Sequence, residues 1–419
     1  MSVTTLSTGT DYEVLANKFR PIFEKIAKGT LDREQKRQLP VEPIKWLKEA
    51  GFGAVRVPKT YGGDGASLPQ LFQLLIELAT ADSNLPQALR GHFAFVEDKL
   101  NAPQSASRDK WFERFVAGDI VGNAWTEVGT VKIGDVITKV SQKDGKTVVN
   151  GNKFYTTGSI FADWIDVYAQ RAHDKSDVIA AVKTHQAGVT VSDDWDGFGQ
   201  RTTGSGTAVF QDAEVEAEDV IDFNQRFKYQ TSFYQLVLLA VQSGIAKAVE
   251  RDVSQQVRER HRVYSTGNAD QVKDDAQILQ VIGQISAQAF TVETITLRAA
   301  ESAQRAYLAR FSRNDEEEKA ANIAAEIDSA KAQVVASELV LRASTDLFNA
   351  LGASAAKATT SLDRHWRNAR TVSSHNPLIY KARIVGDWVV NDKEPPYVWQ
   401  IGSGNPEKAK QQEKAKVAA

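Results

Sequence analysis

DVITKVSQKDGKTVVNGNKFY, residues 135–155, is the stretch on which the fold turns. Two runs of alternating apolar and polar residues flank Asp144-Gly145, a dipeptide that accepts the positive φ angles of a tight hairpin turn, so the segment is predicted to form two antiparallel strands. The alternation continues in IDVYAQRA (165–172), VIAAVKT (178–184) and GTAVFQDAEV (206–215), short runs spaced by turn residues. That spacing predicts an antiparallel sandwich or barrel.

On both sides of this region the texture is helical. VEPIKWLKEAGF (41–52) places Ile44, Leu47 and Ala50 on one face, with Gly51 where a helix stop is expected. In SLPQLFQLLIELATAD (67–82), Ser67 suits the cap and Pro69 the first turn. Its apolar residues Leu71, Phe72, Leu74, Leu75, Ile76 and Leu78 wrap more than one face, which predicts a buried helix. The glycine-rich VPKTYGGDGAS (57–67) links the two, and DKWFERFVAGD (109–119) reads as a last amphipathic helix ending at Gly118. Beyond Asp222 come three long helical segments, roughly 229–262, 272–312 and 316–350, and a further helix after Pro377. Leu236, Leu239, Ala240, Ile245, Ala248 and Val249 give the first of these an apolar stripe.

Strands and helices are therefore segregated, and the predicted class is α+β rather than a βαβ nucleotide fold. The organisation is an N-terminal helical domain over 1–118, a central β-domain over 119–222 and a C-terminal four-helix bundle over 223–395. The tail over 396–419, ending in NPEKAKQQEKAKVAA, has little to bury and reads as a frayed helix or disorder.

Composition excludes several classes of function. The 51 basic and 53 acidic residues nearly cancel, leaving no clustered positive footprint for nucleic acid. The chain has no cysteine, so disulfides, thiolate metal sites and cysteine nucleophiles are ruled out. Its six histidines show no paired metal spacing, and no GxGxxG, P-loop or HExxH pattern occurs in a suitable setting. No metal is expected. The N-terminus lacks a secretory pattern, and the longest apolar stretch, Leu236–Val241, is far shorter than the ~20 residues of a membrane span. A cytoplasmic location without membrane partners is the expectation.

Four phrases, in order, resemble the acyl-CoA dehydrogenase superfamily: VPKTYGGDGASL (57–68), GNAWTEVGT (122–130), GNKFYTTGS (151–159) and DGFGQRTTGSGTAVFQDAEVEAEDV (196–220). A fifth, LDRHWRNARTVSSHNPLIYK (362–381), resembles the flavin-dependent monooxygenase branch of dibenzothiophene monooxygenase type. Dehydrogenases commonly carry a carboxylate base in a Tyr-Glu-Gly phrase near this point, and here Tyr380 is followed by Lys381. The resemblance implies a flavin, FMN favoured and FAD possible, and the partners of a two-component enzyme: O2, a small-molecule substrate and a separate flavin reductase. It also implies a homotetramer.

The same resemblance implies site residues. Thr126, Tyr155, Thr156 and Thr157 would lie against the flavin ring, with Trp195 stacking beside it; hydroxyls both donate and accept, which suits that contact. Alternatively, these residues are ordinary strand formers and a buried tryptophan. The glycines of TTGSGT either admit a phosphate or make a tight turn. Arg262, at the end of a long helix, and Arg370 would reach flavin phosphate, Arg262 across a subunit boundary; alone, each also reads as a surface charge. His375 and His92, with Thr157, are the catalytic candidates, since histidine titrates near neutrality. The branch often carries a second histidine three residues before the first, and this chain has Val372 there. The leading function is a monooxygenase acting on a small apolar or heteroaromatic sulfur or nitrogen compound. The alternatives are an FAD-dependent acyl-CoA dehydrogenase and a non-catalytic flavin-binding scaffold.

Overall fold

Among the described residues, six helices precede the first strand: α1 (Thr10–Lys36), α2 (Val41–Glu49), α3 (Leu68–Ala81), α4 (Asn84–Ala88), α5 (Arg90–Asn101) and α6 (Ala106–Val116). The computed structural model describes residues 10–129 and 135–398. The first nine residues of the segment read as lacking a secretory signal, and the Lys/Gln/Ala-rich part of the predicted tail from 399 onward, lie outside the described residues.

Local signals act as expected in this region. Ser67 and Gln70 form a reciprocal capping box at the start of α3, and Gly51 turns the chain out of α2 with a φ of 73°. α3 is apolar on most of its circumference because it lies between α1 and two helices of the C-terminal half.

The strands are β1 (Val121–Ala124), β2 (Lys139–Lys143), β3 (Lys146–Lys153), β4 (Trp164–Arg171), β5 (Asp177–Lys183), β6 (Val189–Val191), β7 (Ala208–Glu214) and β8 (Val220–Asp222). Asp144 and Gly145 turn β2 into β3 with φ angles of 50° and 76°, as a primed hairpin turn requires. Most neighbouring strands are antiparallel as expected, but the expectation that all are needs correction. The strands form one mixed sheet in the order β6-β7-β3-β2-β4-β5-β8, with β1 and β2 both running parallel to β4. Each covers one half of the same β4 edge. The reason is the connection after β3: the chain does not fold back in a hairpin but crosses over through residues 154–163, which places β4 on the far side of β2. Alternation of side chains reports which face is buried and carries no information on which neighbour a strand meets.

The C-terminal half comprises α7 (Gln230–Glu259), α8 (Ala276–Ala309), α9 (Asp315–Leu351), α10 (Asp363–Ser374) and α11 (Lys381–Asn391). α7, α8 and α9 pack side by side, α10 lies against α7 and α9, and α3 also packs on α7 and α8. α7 is long and apolar enough to cross a bilayer, but its apolar residues are buried inside the protein.

α5 is the pivot between these layers. Every one of its residues is buried, and it packs against β1, α6 and α7. Glu97 on α5 pairs with Arg56 at 2.8 Å and accepts from the Tyr229 hydroxyl; both ion-pair side chains are almost fully buried. Removing one member strands the other charge in a dry interior. Arg56→Met should therefore cost about 3–5 kcal/mol in urea unfolding, whereas Lys18→Met, which breaks the exposed pair with Asp64, should cost less than about 1 kcal/mol. Equal shifts in the two midpoints would contradict this account of α5.

Candidate active-site cleft

β3 ends at Lys153, so Tyr155, Thr156 and Thr157 are not on the strand as expected. Thr126 and Phe154 form an isolated bridge, Phe154 N donating to the Thr126 carbonyl at 2.9 Å. Tyr155 then adopts a φ of 56°, which leaves the extended region and stops the ladder. Thr156 turns to the loop between β6 and β7: its amide and its hydroxyl both donate to the Gly206 carbonyl, each at 2.9 Å. Its hydroxyl serves the backbone.

Thr157 is different. Its hydroxyl lies 2.7 Å from Ser205 Oγ, which lies 2.7 Å from Thr203 Oγ1, which donates to the Gln200 carbonyl at 2.9 Å. Thr157 Oγ1 also lies 3.4 Å from the Tyr155 carbonyl, and a carbonyl can only accept, so the three hydroxyl protons run along the chain towards Gln200 at one end or Tyr155 at the other. In either order Thr157 Oγ1 spends its proton within the protein and keeps at least one lone pair for an outside donor.

Gly158 seats this turn on the helical layer. It has a φ of 80°, and a Cβ there would lie 1.9 Å from the Ala88 carbonyl at the end of α4. The glycines of TTGSGT are explained by the chain itself: a Cβ on Gly204 would meet Ile160, and one on Gly206 would meet the Ser192 carbonyl at 1.7 Å. Here the tight-turn reading accounts for them. Trp195 donates to the Gly199 carbonyl at 3.2 Å and meets the exposed Tyr155 ring edge-on at 5.9 Å. α10 holds the same loop, Asn368 accepting from Gln200 N at 2.6 Å.

His375 follows directly on α10 and is exposed. Its Nδ1 lies 3.3 Å from Asn376 Oδ1, and Asn376 donates to Gln235 on α7 at 2.7 Å. The protein packed around the ring, and then the Arg90 charge, hold its pKa well below the ordinary 6.5. Val372, by contrast, is buried in the bundle core.

His92 leaves the catalytic set. It is fully buried, its Nε2 bonds the Gly53 carbonyl at 2.9 Å, and its Nδ1 accepts from Val121 N at 3.2 Å. With both ring nitrogens held by backbone, it ties α5 to β1. Arg262 also needs correction: α7 stops at Glu259, and Arg262 lies exposed in the following loop, which Arg260 anchors to the Leu351 carbonyl at the end of α9. One chain does not bring Arg262 to the Thr157 cluster. Arg370 is half-buried on α10 with no side-chain partner among the described residues.

The strongest polar feature of the cleft is one that sequence reasoning missed. Arg90 opens α5, is 6% exposed, and lies with its guanidinium 5.2 Å from the Tyr234 ring. Burial lowers its pKa to about 10. Arg90 Nε, the hydroxyl of the adjacent Tyr234, and Gln87 Oε1, Asn123 Oδ1 and Gln235 Nε2 are buried polar atoms without a protein partner. They come from α5 and from α4, β1 and α7, which pack against it, and their unspent hydrogen-bonding capacity is of the kind that a polar ligand would use. The one available signal was a charged residue in LPQALRGHFAFVED, flanked by Gly91 and apolar residues. A separate crevice of about 650 Å³, lined by Glu34, Phe198, Arg201, Asp363 and Arg367 among others, includes none of Thr157, Arg90 or His375.

Comparison with known proteins gives a consistent result. The models for the N-terminal, middle and C-terminal domains of acyl-CoA dehydrogenase match residues 11–119, 124–213 and 236–378. The chain is 27% identical over 386 residues to "Probable FMNH2-dependent monooxygenase SfnC" of Pseudomonas putida, covering 90% of this chain and 94% of that one. It is 27% identical over 376 residues to dibenzothiophene monooxygenase of Rhodococcus qingshengii, covering 83% and 86%. Among solved structures, methanesulfinate monooxygenase MsuC from Pseudomonas fluorescens superposes with a TM-score of 0.82 at 25% identity, covering 91% of this chain and 98% of that one. FMN-bound TdsC from Paenibacillus sp. A11-2 gives 0.82 at 26% identity, with the same coverage.

The burial of His92 has a measurable consequence. Its folded pKa is about 4 against an ordinary 6.5, because burial favours the neutral ring. The unfolded chain then binds the proton more tightly, so this contribution is complete above pH 6.5 and is lost as pH falls towards 4, by about 3 kcal/mol. His92→Gln offers the same donor and acceptor without titrating. Its unfolding free energy should fall less steeply across that window than that of the wild type; an unchanged slope would be evidence against a buried neutral His92.

Proposed function

Because the chain belongs to the acyl-CoA dehydrogenase family, whose three domain models it matches in order, we propose that it is a flavin-dependent monooxygenase using reduced FMN and O2. Full-length likeness to a dibenzothiophene monooxygenase and to a methanesulfinate monooxygenase supports this reading. The observation that carries it against the dehydrogenase alternative is Lys381. Where a carboxylate base would follow Tyr380, this chain has a lysine that is itself buried beside Glu326 in the bundle. Burial pushes the Glu326 carboxyl up and the Lys381 ammonium down, and the two groups stabilise each other.

Thr157 would accept from a donor on the flavin ring, with Thr126 and Tyr155 beside it and Trp195 as a wall. Arg370 would serve the flavin phosphate, and Arg262 that of a neighbouring subunit. Reduced flavin, when bound, supplies the two electrons by which one oxygen atom of O2 enters the substrate and the other leaves as water. His375 is neutral at working pH given its lowered pKa, so it would hold or relay a proton through its imidazole N–H, not act as an imidazolium. The buried helical layers around α5 exclude bulk water from the inner side of the cleft.

The substrate class is a small sulfur- or nitrogen-containing compound. A separate flavin reductase supplies FMNH2, and a cytoplasmic homotetramer completes the reading. Exposed Phe290, Ile379, Val389 and Val390 on the C-terminal half offer apolar surface for that assembly.

The test is purified protein with an FMN reductase, 18O-labelled O2 and either dibenzothiophene or methanesulfinate. One labelled oxygen per product is expected; anaerobic bleaching of bound flavin by an acyl-CoA would instead favour the dehydrogenase. In the same assay, His375→Ala should lower turnover about 100-fold while FMN affinity stays within about twofold. Unchanged turnover would remove His375 from the chemistry.

A further inference from the structure

We propose that Arg90 is an anion-binding residue and that the substrate carries a small oxyanion head, a sulfinate in the first instance. The inference rests on the monooxygenase reading for the reaction, but its basis is the charge pattern of α5. That helix buries five ionisable side chains. Glu97 is met by Arg56 and Tyr229. Asp98 faces Arg226 at 4.0 Å. Lys99 lies over the rings of Phe95 and Trp111 and in the fields of Asp98 and Asp219. His92 is neutral between two backbone groups.

Arg90 alone lacks such an arrangement. Among the described residues it has no hydrogen bond and no carboxylate within ion-pair distance, and its nearest assigned contact is the Tyr234 ring at 5.2 Å. A buried cation without a counter-ion is costly to fold around, and proteins retain one where a ligand completes it. The guanidinium fork matches two oxygens on one atom, the geometry of a sulfinate or a carboxylate. The Tyr234 ring beside it packs on Trp125 at 5.5 Å as an apolar wall for the remainder of such a ligand, and Gln235, the next residue on α7, keeps an unpaired Nε2 donor. The Arg90 charge is also one of the causes that hold the His375 pKa down.

The reaction balances without moving charge out of the site. A sulfinate RSO2⁻ with O2 and reduced flavin gives the sulfonate RSO3⁻, oxidised flavin and water: a sulfur–oxygen bond forms, the O2 bond breaks, and the flavin's two electrons and two protons leave with the second oxygen. Substrate and product carry the same single negative charge, so Arg90 can hold both.

The anion could also be the flavin phosphate, and the experiment separates the two. Methanesulfinate is titrated calorimetrically into the flavin-free protein, with FMN titrated in parallel, for the wild type, Arg90→Lys and Arg90→Gln. Wild type should bind methanesulfinate, Arg90→Gln at least about tenfold more weakly, and Arg90→Lys in between, with FMN affinity within about twofold throughout. The proposal is overturned if wild type fails to bind methanesulfinate, if Arg90→Gln binds it equally well, or if the loss appears in the FMN titration. Arg90-dependent sulfinate binding without any oxygenated product would uphold the subsite and sink the monooxygenase reading. Turnover of dibenzothiophene without sulfinate binding would do the reverse.

Discussion

A helix with no exposed residue cannot leave a charge to water. α5 carries Arg90, His92, Glu97, Asp98 and Lys99 within 12 residues, so the surrounding layers must supply what solvent would have supplied. Arg56 comes from the amino-terminal loop region, Tyr229 and Arg226 from the approach to α7, and the Gly53 and Val121 backbone groups from the two sides of His92. These bonds fix how the helical half, the sheet and the bundle sit together. Apolar packing of Phe95, Trp111, Phe115 and Trp164 fills the same junction but would tolerate small slips; directional bonds to buried charges do not.

The cleft follows from that constraint. With α5 fixed, Gly158 can rest on the α4 carbonyl, which sets the turn carrying Thr157; the β6–β7 loop then closes its hydroxyl chain, and α10 clamps the loop through Asn368. Four elements distant in sequence thus fix one turn. The chemistry is assembled from ordinary groups, hydroxyls, amides, one imidazole and one guanidinium, whose behaviour depends on what each has already been used for. Thr156 and Thr157 are neighbours of identical type, yet the hydroxyl of the first is bound to one backbone carbonyl and that of the second joins a chain of hydroxyls.

Much of the architecture was legible in the chain. Asp144-Gly145 between alternating runs, the Ser67 cap and the long apolar stripe of α7 are local signals, and each was decoded locally. The segment 84–101 was not, because a helix buried all round has no amphipathic stripe to display, and its charges do not name the partners that will meet them. The parallel placement of β4 was hidden for a different reason: a strand's pattern names its buried face and not its neighbours. The SSHNP phrase favours His375 over His92 in the sequence, but only the backbone partners of His92 show that both its ring nitrogens are already used. Ser205 and Arg90 carried no spacing signal at all, since their roles arise from contacts across more than forty positions in one case and three layers in the other.

The shared edge of β4 bears on how the protein is made. β1 and β2 leave the ribosome before the strand that both must join, so the sheet cannot close in order of synthesis. Until β4 emerges, β1 is a strand without an edge, and the β2–β3 hairpin is a marginal two-stranded unit. Partners of α5 such as Tyr229 and Arg226 arrive later still. Folding of the first two hundred residues is therefore deferred rather than progressive, with many pairings of long sequence separation maturing together. A nascent chain of this kind spends a long interval with apolar strands unpaired, which is the period when chaperone protection matters most.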